Sequence, residues 1–289
     1  MKKAYIKYFS ALLLFGSNGI VASFINMSSY EIVLLRTLIG SLLLIGIFLI
    51  SKGRLTFHKH KKQNLFLCAS GIAMGTSWMF LYEAYTQIGV SVASLCYYCG
   101  PIIVMVLSPL IFREKLTTVK IISFLVVLIG IFFVNGNVLN EDANTWGVFC
   151  GLMSAVMYSA MVICNKKAKE ITGLENSMLQ LFISFLTVAI FVIIKQGFTI
   201  QISQADIIPI LILGLVNTGI GCYFYFSSIG NLSVQTVAIC GYIEPLSAVV
   251  FSVAFLGEKL LFVQLIGAVL IIGGAITGEC LIKKKKGVL

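Results

Sequence analysis

Three ionisable side chains, Arg36, Glu83 and Glu244, stand inside long apolar runs of this 289-residue chain. A charge at the centre of a hydrocarbon layer costs about 2.5–3.5 kcal/mol on insertion scales, so each needs a reason. Glu244 lies near the middle of the apolar run 232–256, directly before Pro245. That proline has no N–H and its ring crowds the preceding turn, leaving carbonyls there without helical partners. A carboxylate beside a broken turn has the chemistry to hold a cation, an amine or a proton; protonated or hydrogen-bonded, it would instead bridge helices. Arg36 and Glu83 also admit two readings. They could form one salt bridge pinning two helices, or else serve as an outer gate or as a clamp for the amine and carboxylate of a zwitterion. A buried pair is weak evidence for stability, because desolvation offsets its attraction.

Aromatic and amide side chains accompany these charges. Asn18, Trp78, Tyr82, Tyr97, Tyr98, Tyr158, Asn217, Tyr223 and Tyr242 fall within apolar runs, not at their ends where interfacial belts belong. Singly each could be packing; together they outline a polar-aromatic substrate pocket. Pro101 and Pro245 are candidate hinges, although proline in a membrane helix also serves ordinary packing.

The elements that must position these residues are membrane helices. The chain is 59% hydrophobic and 11% charged, with a mean hydropathy of +1.01, so the bilayer is its solvent. Ten runs approach the length needed to span it: 5–25, 31–50, 65–86, 91–112, 117–135, 145–164, 176–195, 207–228, 232–256 and 262–282. The expected fold is an all-α membrane protein of ten transmembrane helices. The first run, preceded by Lys2, Lys3 and Lys7, resembles a signal peptide, but it is long and ends in SFINMSS without a clean cleavage site; it reads as a retained span. The eight cysteines sit in or at the ends of apolar segments and read as small hydrophobes. Cys96 and Cys99 have CxxC spacing but no second pair and no nearby histidine, so no metal is expected.

A formal charge of +10 does not imply nucleic acid here. With the N-terminus in the cytoplasm, eighteen of the 21 basic residues fall on that side: Lys2, Lys3, Lys7, Lys52, Arg54, Lys59, Lys61, Lys62, Arg113, Lys115, Lys120, Lys166, Lys167, Lys169 and Lys283 to Lys286. The others are Arg36, Lys195 and Lys259. This bias places both termini in the cytoplasm and the acidic loop 140–144 outside. The HKHKK run at 58–62 is a topology signal first and a lipid-headgroup site second.

The chain is also written twice. Residues 96–116 align without a gap on 240–260, pairing Cys96 with Cys240, Tyr98 with Tyr242, Pro101 with Pro245, Val106 with Val250, and Glu114-Lys115-Leu116 with Glu258-Lys259-Leu260. The same register pairs Glu31 with Glu175, Gly75 with Gly219 and Phe80 with Phe224. Five spans per copy puts the second copy in the membrane upside down, the inverted duplication of many transporters. The halves are 1–140 and 141–289. Glu114 and Glu258 then lie at opposite membrane faces, as helix-end elements rather than substrate ligands. The pairs Gly71/Gly75, Gly147/Gly151 and Gly274/Gly278 have GxxxG spacing, read as packing inside the molecule.

Residues 224–275, with mid-helix Pro245, the pair Gly257-Glu258 and a Gly-rich final helix, resemble the EamA type of the drug/metabolite transporter superfamily. Arg36 after EIVLL matches an arginine that members commonly carry; Arg113-Glu114 departs from the usual Gly-Glu. The resemblance implies an inner-membrane carrier, often an exporter of amino acids, drugs or other small organic compounds, with no cofactor. It leaves cargo and coupling open.

The expected function is secondary transport of a small organic metabolite such as an amino acid or amine by alternating access, proton-coupled at Glu244 or uncoupled. The protein would be a monomer or homodimer in contact with lipid. No GxxxxGK[ST] motif is present, so ATP is not expected to drive it. An intramembrane enzyme would need a pattern such as HExxH or GxSxG, and the histidines, His58 and His60, lie in a basic loop. A channel lacks a filter motif. A receptor or scaffold would leave the inverted duplication without mechanical use.

Overall fold

The computed structural model describes residues 2–53, 55–56, 61–135, 144–197, 202–256 and 262–285. The Gly257 to Leu260 end of the repeat signature, most of the acidic loop, His58 and His60 lie outside them. Among the described residues the chain is helical and contains no strand. The helices are α1 (Lys2–Gly16), α2 (Asn18–Ser23), α3 (Ser29–Ile50), α4 (Lys61–Tyr97), α5 (Gly100–Phe112), α6 (Thr118–Asn135), α7 (Thr145–Lys167), α8 (Gly173–Gln196) and α9 (Gln204–Leu211). A π-helical segment (Ile212–Ile220) follows, then α10 (Gly221–Ile229), α11 (Val234–Gly241), α12 (Ile243–Leu256) and α13 (Phe262–Lys285).

Every apolar run of the sequence is helical, but the lengths differ from ten equal spans. Among the described residues, seven segments are long and apolar enough to cross a membrane: Lys2–Ser23, Ser29–Ile50, Lys61–Ile88, Thr145–Lys167, Gly173–Lys195, Gln204–Ile229 and Val234–Phe255. Three more apolar helices, Gly100–Phe112, Thr118–Phe133 and Leu265–Thr277, are shorter. The run 91–112 is shortened because the helix is interrupted at Tyr98–Cys99, just before Pro101. Outward-facing leucines and isoleucines such as Ile50, Leu110 and Ile194 are largely exposed, which suits a surface covered by lipid tails.

Local chemistry sets several of the helix starts. Ser28 and Glu31 form a reciprocal capping box on α3, satisfying two otherwise orphan amides. Asn144 caps α7 and Ser233 caps α11, each accepting a backbone N–H in the first turn.

Helix α4 cannot be one straight rod. The Ser70 hydroxyl donates to the Met161 carbonyl (2.7 Å), while the Ser159 hydroxyl donates to the Gly100 carbonyl (2.9 Å). Thirty helical residues span about 45 Å, yet Ser70 and Gly100 meet the same turn of α7. Ser77 meets Ser154 further along α7, Ile88 packs on Gly147, and Cys96 packs on Gly151. The chain therefore runs antiparallel to α7, doubles back near Ile88, and returns parallel to it. The counterpart of this hairpin in the second half is the turn between α10 and α11.

Packing is crossed along the chain. While α7 packs on α4, α1 packs on α10 and α12. Lys7 Nζ donates to the Tyr223 and Ser227 hydroxyls (3.3 and 3.2 Å), and the Tyr8 hydroxyl donates to the Val237 carbonyl (2.7 Å). Helices α6 and α13 pack face to face through glycines. A Cβ on Gly130 would stand 2.7 Å from the Gly267 carbonyl oxygen, and one on Gly274 would stand 2.8 Å from that of Ser123. The two contacts are one contact with both partners displaced by the repeat spacing. Gly71, Gly75, Gly147 and Gly151 likewise face other helices of the same chain.

Candidate substrate cavity

Three helix interruptions converge in the middle of the bundle. Ser17 separates α1 from α2, Tyr98 and Cys99 separate α4 from α5, and Tyr242 separates α11 from α12. The latter two lie three residues before Pro101 and Pro245. In an unbroken helix those prolines would sit against the carbonyls of Tyr97 and Gly241 without an N–H to offer, so the chain bends there.

A cavity opens beside the interruptions. Its volume is ≈ 50 Å³, against about 10–15 Å³ for one water. Phe15 from α1, Asn18 from α2, and Met74, Ser77, Trp78 and Tyr97 from α4 line one part. Tyr158 and Met161 from α7, Cys222, Tyr225 and Phe226 from α10, and Glu244 from α12 complete it. The walls are aromatic and thioether, and Glu244 is the one charged lining residue.

Glu244 occupies the first turn of α12, where the positive end of the helix dipole favours a carboxylate. Among the described residues its carboxylate makes no hydrogen bond or ion pair. The Asn18 side-chain oxygen is buried and also lacks a partner. The Tyr158 and Tyr225 hydroxyls face each other at 3.2 Å. The Tyr97 ring stands edge-on to Tyr158, with centroids 5.3 Å apart. Ser77 gives its hydroxyl to the Ser154 carbonyl and presents little else.

Arg36 lies behind this wall. It is 2% exposed, its guanidinium carbon is 4.7 Å from the Trp78 ring centroid, and it donates to the Thr218 and Tyr82 hydroxyls (2.9 and 3.1 Å). A cation against an indole face is a favourable arrangement, and it fixes the ring whose edge enters the cavity. Glu83 is not its partner. Successive helical residues point about 100° apart, so with Tyr82 aimed at Arg36, Glu83 aims at the rim. There it meets Lys195 (3.6 Å), Tyr30, Gln87 (3.3 Å) and Trp146 (3.4 Å). The expected Arg36–Glu83 salt bridge is therefore replaced by two separate clusters.

Of the residues singled out by sequence, Glu244, Asn18, Trp78, Tyr97 and Tyr158 line the cavity, and Tyr82 and Arg36 back it. Tyr98, Tyr242 and Asn217 stand apart from it and brace the interruptions. The Tyr242 hydroxyl donates to the Tyr98 carbonyl (2.9 Å). The Asn217 amide donates to the Leu14 carbonyl and the Ser17 hydroxyl (both 2.8 Å). Pro101 and Pro245 adjoin the breaks. Phe15, Met74, Ser77, Met161, Cys222, Tyr225 and Phe226 were not marked by residue type. Their signal is spacing: Met74-Ser77-Trp78 and Cys222-Tyr225-Phe226 share an i, i+3, i+4 pattern that puts each triplet on one helix face.

The end of the bundle rich in lysine is clamped. Glu114 accepts from the backbone amides of Val234 and Gln235 (2.9 and 3.3 Å) at the start of α11. Lys166 Nζ donates to the carbonyls of Ile229 (2.8 Å) and Leu232 at the end of α10. An anion on a helix N-terminus and a cation on a helix C-terminus together hold the intervening turn.

A helical, multi-pass membrane protein with a cavity at broken helices in mid-bundle has the build of a membrane carrier. The sequence profile of the EamA-like transporter family matches residues 2–136 and again 145–277, and the chain belongs to that family. It is 26% identical over 275 residues to the uncharacterized transporter YxxF of Bacillus subtilis, covering 94% of this chain and 88% of that one. An uncharacterized transporter of Clostridium kluyveri is 24% identical, with 96% and 93% covered. One crystal structure superposes with a TM-score of 0.83 at 18% identity over 96% of this chain and 98% of the other, a likeness of fold. Family and relatives make the protein a membrane transporter.

Proposed function

We propose that the protein is a secondary transporter that exports a small organic metabolite, of the amino-acid or amine-bearing kind, across the cytoplasmic membrane by alternating access. The frame is ten spans in two inverted five-helix halves, 1–140 and 141–289, with both termini cytoplasmic. The observation that carries the reading is Glu244, a carboxylate without a hydrogen-bond or ion-pair partner among the described residues, in a cavity at a broken helix. Such a group binds the substrate directly or carries the coupling proton.

Other roles follow from position. Asn18, Trp78 and Tyr158 contact the substrate, and Arg36 and Tyr82 orient Trp78. Pro101 and Pro245 are the hinges, Tyr98, Tyr242 and Asn217 brace them, and Glu83 belongs to the outer gate. The Glu114–Lys166 clamp closes the cytoplasmic end and releases when that side opens. Recurrence of the repeat spacing in the Tyr98–Tyr242 and Gly130/Gly274 contacts supports two equivalent halves that exchange shape.

The test is counterflow in proteoliposomes with a labelled metabolite mixture, comparing the wild type with Glu244→Gln. Exchange that disappears or loses its pH dependence in the variant supports the reading. Exchange that is undiminished and still pH-dependent removes Glu244 from the mechanism, and no exchange of any compound by the wild type removes transport of this class.

A further inference from the structure

Resting on that reading of the cavity, we infer that the substrate is a monocationic organic amine that bears no carboxylate, so that a decarboxylated amine is carried and the corresponding amino acid is not. The charges in the wall decide it. Glu244 is the one charged lining residue, with no lysine, arginine or histidine beside it. Among the lining side-chain atoms closed off from solvent, the one without a partner is an acceptor, the Asn18 side-chain oxygen. An ammonium group supplies the donors and the positive charge that both lack.

The rings of Tyr97, Tyr158 and Tyr225 add a surface suited to a cation and to an apolar body. Trp78 contributes less in this respect, because Arg36 already lies over its ring.

A substrate carboxylate would need a cation, and the nearest is Arg36. That guanidinium is 2% exposed and is held by Trp78, Tyr82 and Thr218. Reaching it means displacing the indole and breaking both hydrogen bonds. A carboxylate left in the cavity would instead face Glu244. Two like charges about 6 Å apart at an effective dielectric near 20 disfavour each other by roughly 100-fold. Arg36 acts from behind the wall as the cation whose field reaches Glu244. Held by Trp78, Tyr82 and Thr218, it contributes no contact to an anionic ligand.

Matched pairs test this in the wild-type protein reconstituted in proteoliposomes: phenethylamine against phenylalanine, and isoamylamine against leucine, each labelled. The expected result is exchange of the amines, favoured about 100-fold over the amino acids, and loss of amine exchange in Glu244→Gln with partial recovery in Glu244→Asp. Competition in the wild type gives a readout independent of any variant's folding: phenethylamine should inhibit isoamylamine exchange and phenethyl alcohol should not. Equal or better exchange of the amino acids overturns the inference and leaves the transporter reading in place. Inhibition by the alcohol as strong as by the amine overturns it too. Exchange of neither set overturns the inference, and the transporter reading then stands or falls on counterflow with the full metabolite mixture.

Discussion

The Tyr242 hydroxyl donates to the backbone carbonyl of Tyr98 at 2.9 Å, and these residues stand 144 positions apart, the interval at which the sequence repeats. One copy of the duplicated segment thus ties its helix break to the break in the other copy. The tie is one-sided: Tyr242 uses its side chain and is fully buried, whereas Tyr98 uses its backbone. Tyr242→Phe should lower stability by about 1 kcal/mol, the worth of one buried hydrogen bond. Tyr98→Phe should leave the bond intact. Thermal unfolding in detergent, followed by fluorescence-detected size exclusion, separates the two; equal losses would contradict the assigned donor.

Gly130→Ala and Gly274→Ala should be near-equal in effect. In each the new methyl meets a backbone carbonyl of the facing helix at 2.7 or 2.8 Å, which must move away. Overpacking of this kind costs about 1–3 kcal/mol. Combining the two should cost less than their sum if the first already parts α6 from α13. A strictly additive double variant would show the contacts to be independent.

Glu114→Gln should loosen the turn between α10 and α11. The carboxylate serves two amides at a helix start, and losing its charge there costs about 0.5–2 kcal/mol. Hydrogen exchange at residues 230–236 is the direct measurement. Faster exchange confined to that stretch is expected, and an unchanged profile would mean that Lys166 alone holds it.

Arg36 and Glu83 should respond differently to neutralisation. Arg36→Met removes a buried ring contact and two hydrogen bonds, worth about 2–3 kcal/mol together. Glu83→Gln breaks a pair whose lysine is 46% exposed, worth at most about 1 kcal/mol. Comparable losses in unfolding temperature would put the two charges back into one network.

Helix positions, the duplication and the two proline breaks could be read from sequence because each leaves a periodic or compositional mark. Glu244 was legible because a carboxylate in an apolar run is costly. Pairing between helices was not. Arg36 and Glu83 were the two ionisable residues at one depth, yet the roughly 100° step between Tyr82 and Glu83 sends them to different neighbours. Met74, Cys222 and Phe226 carry nothing in their side chains to separate a cavity wall from a packed core; only the helices opposite them do so. The doubling back inside α4 was anticipated as a gap between two spans, and α7 supplies the ruler that reveals it.

The crossed packing of the first helices sets an order of assembly. Lys7 and Tyr8 meet partners 216 to 229 residues later in the chain. At about 5–20 residues per second of synthesis, α1 sits in the membrane for roughly 10–45 s before those partners exist. During that wait Lys7, Tyr8 and the break at Ser17 have only lipid, water or the insertion machinery to satisfy them. Helix α1 is thus made long before its partners and is among the last to be finished, and a ribosome stalled before those partners would leave it as the exposed signal of an incomplete molecule.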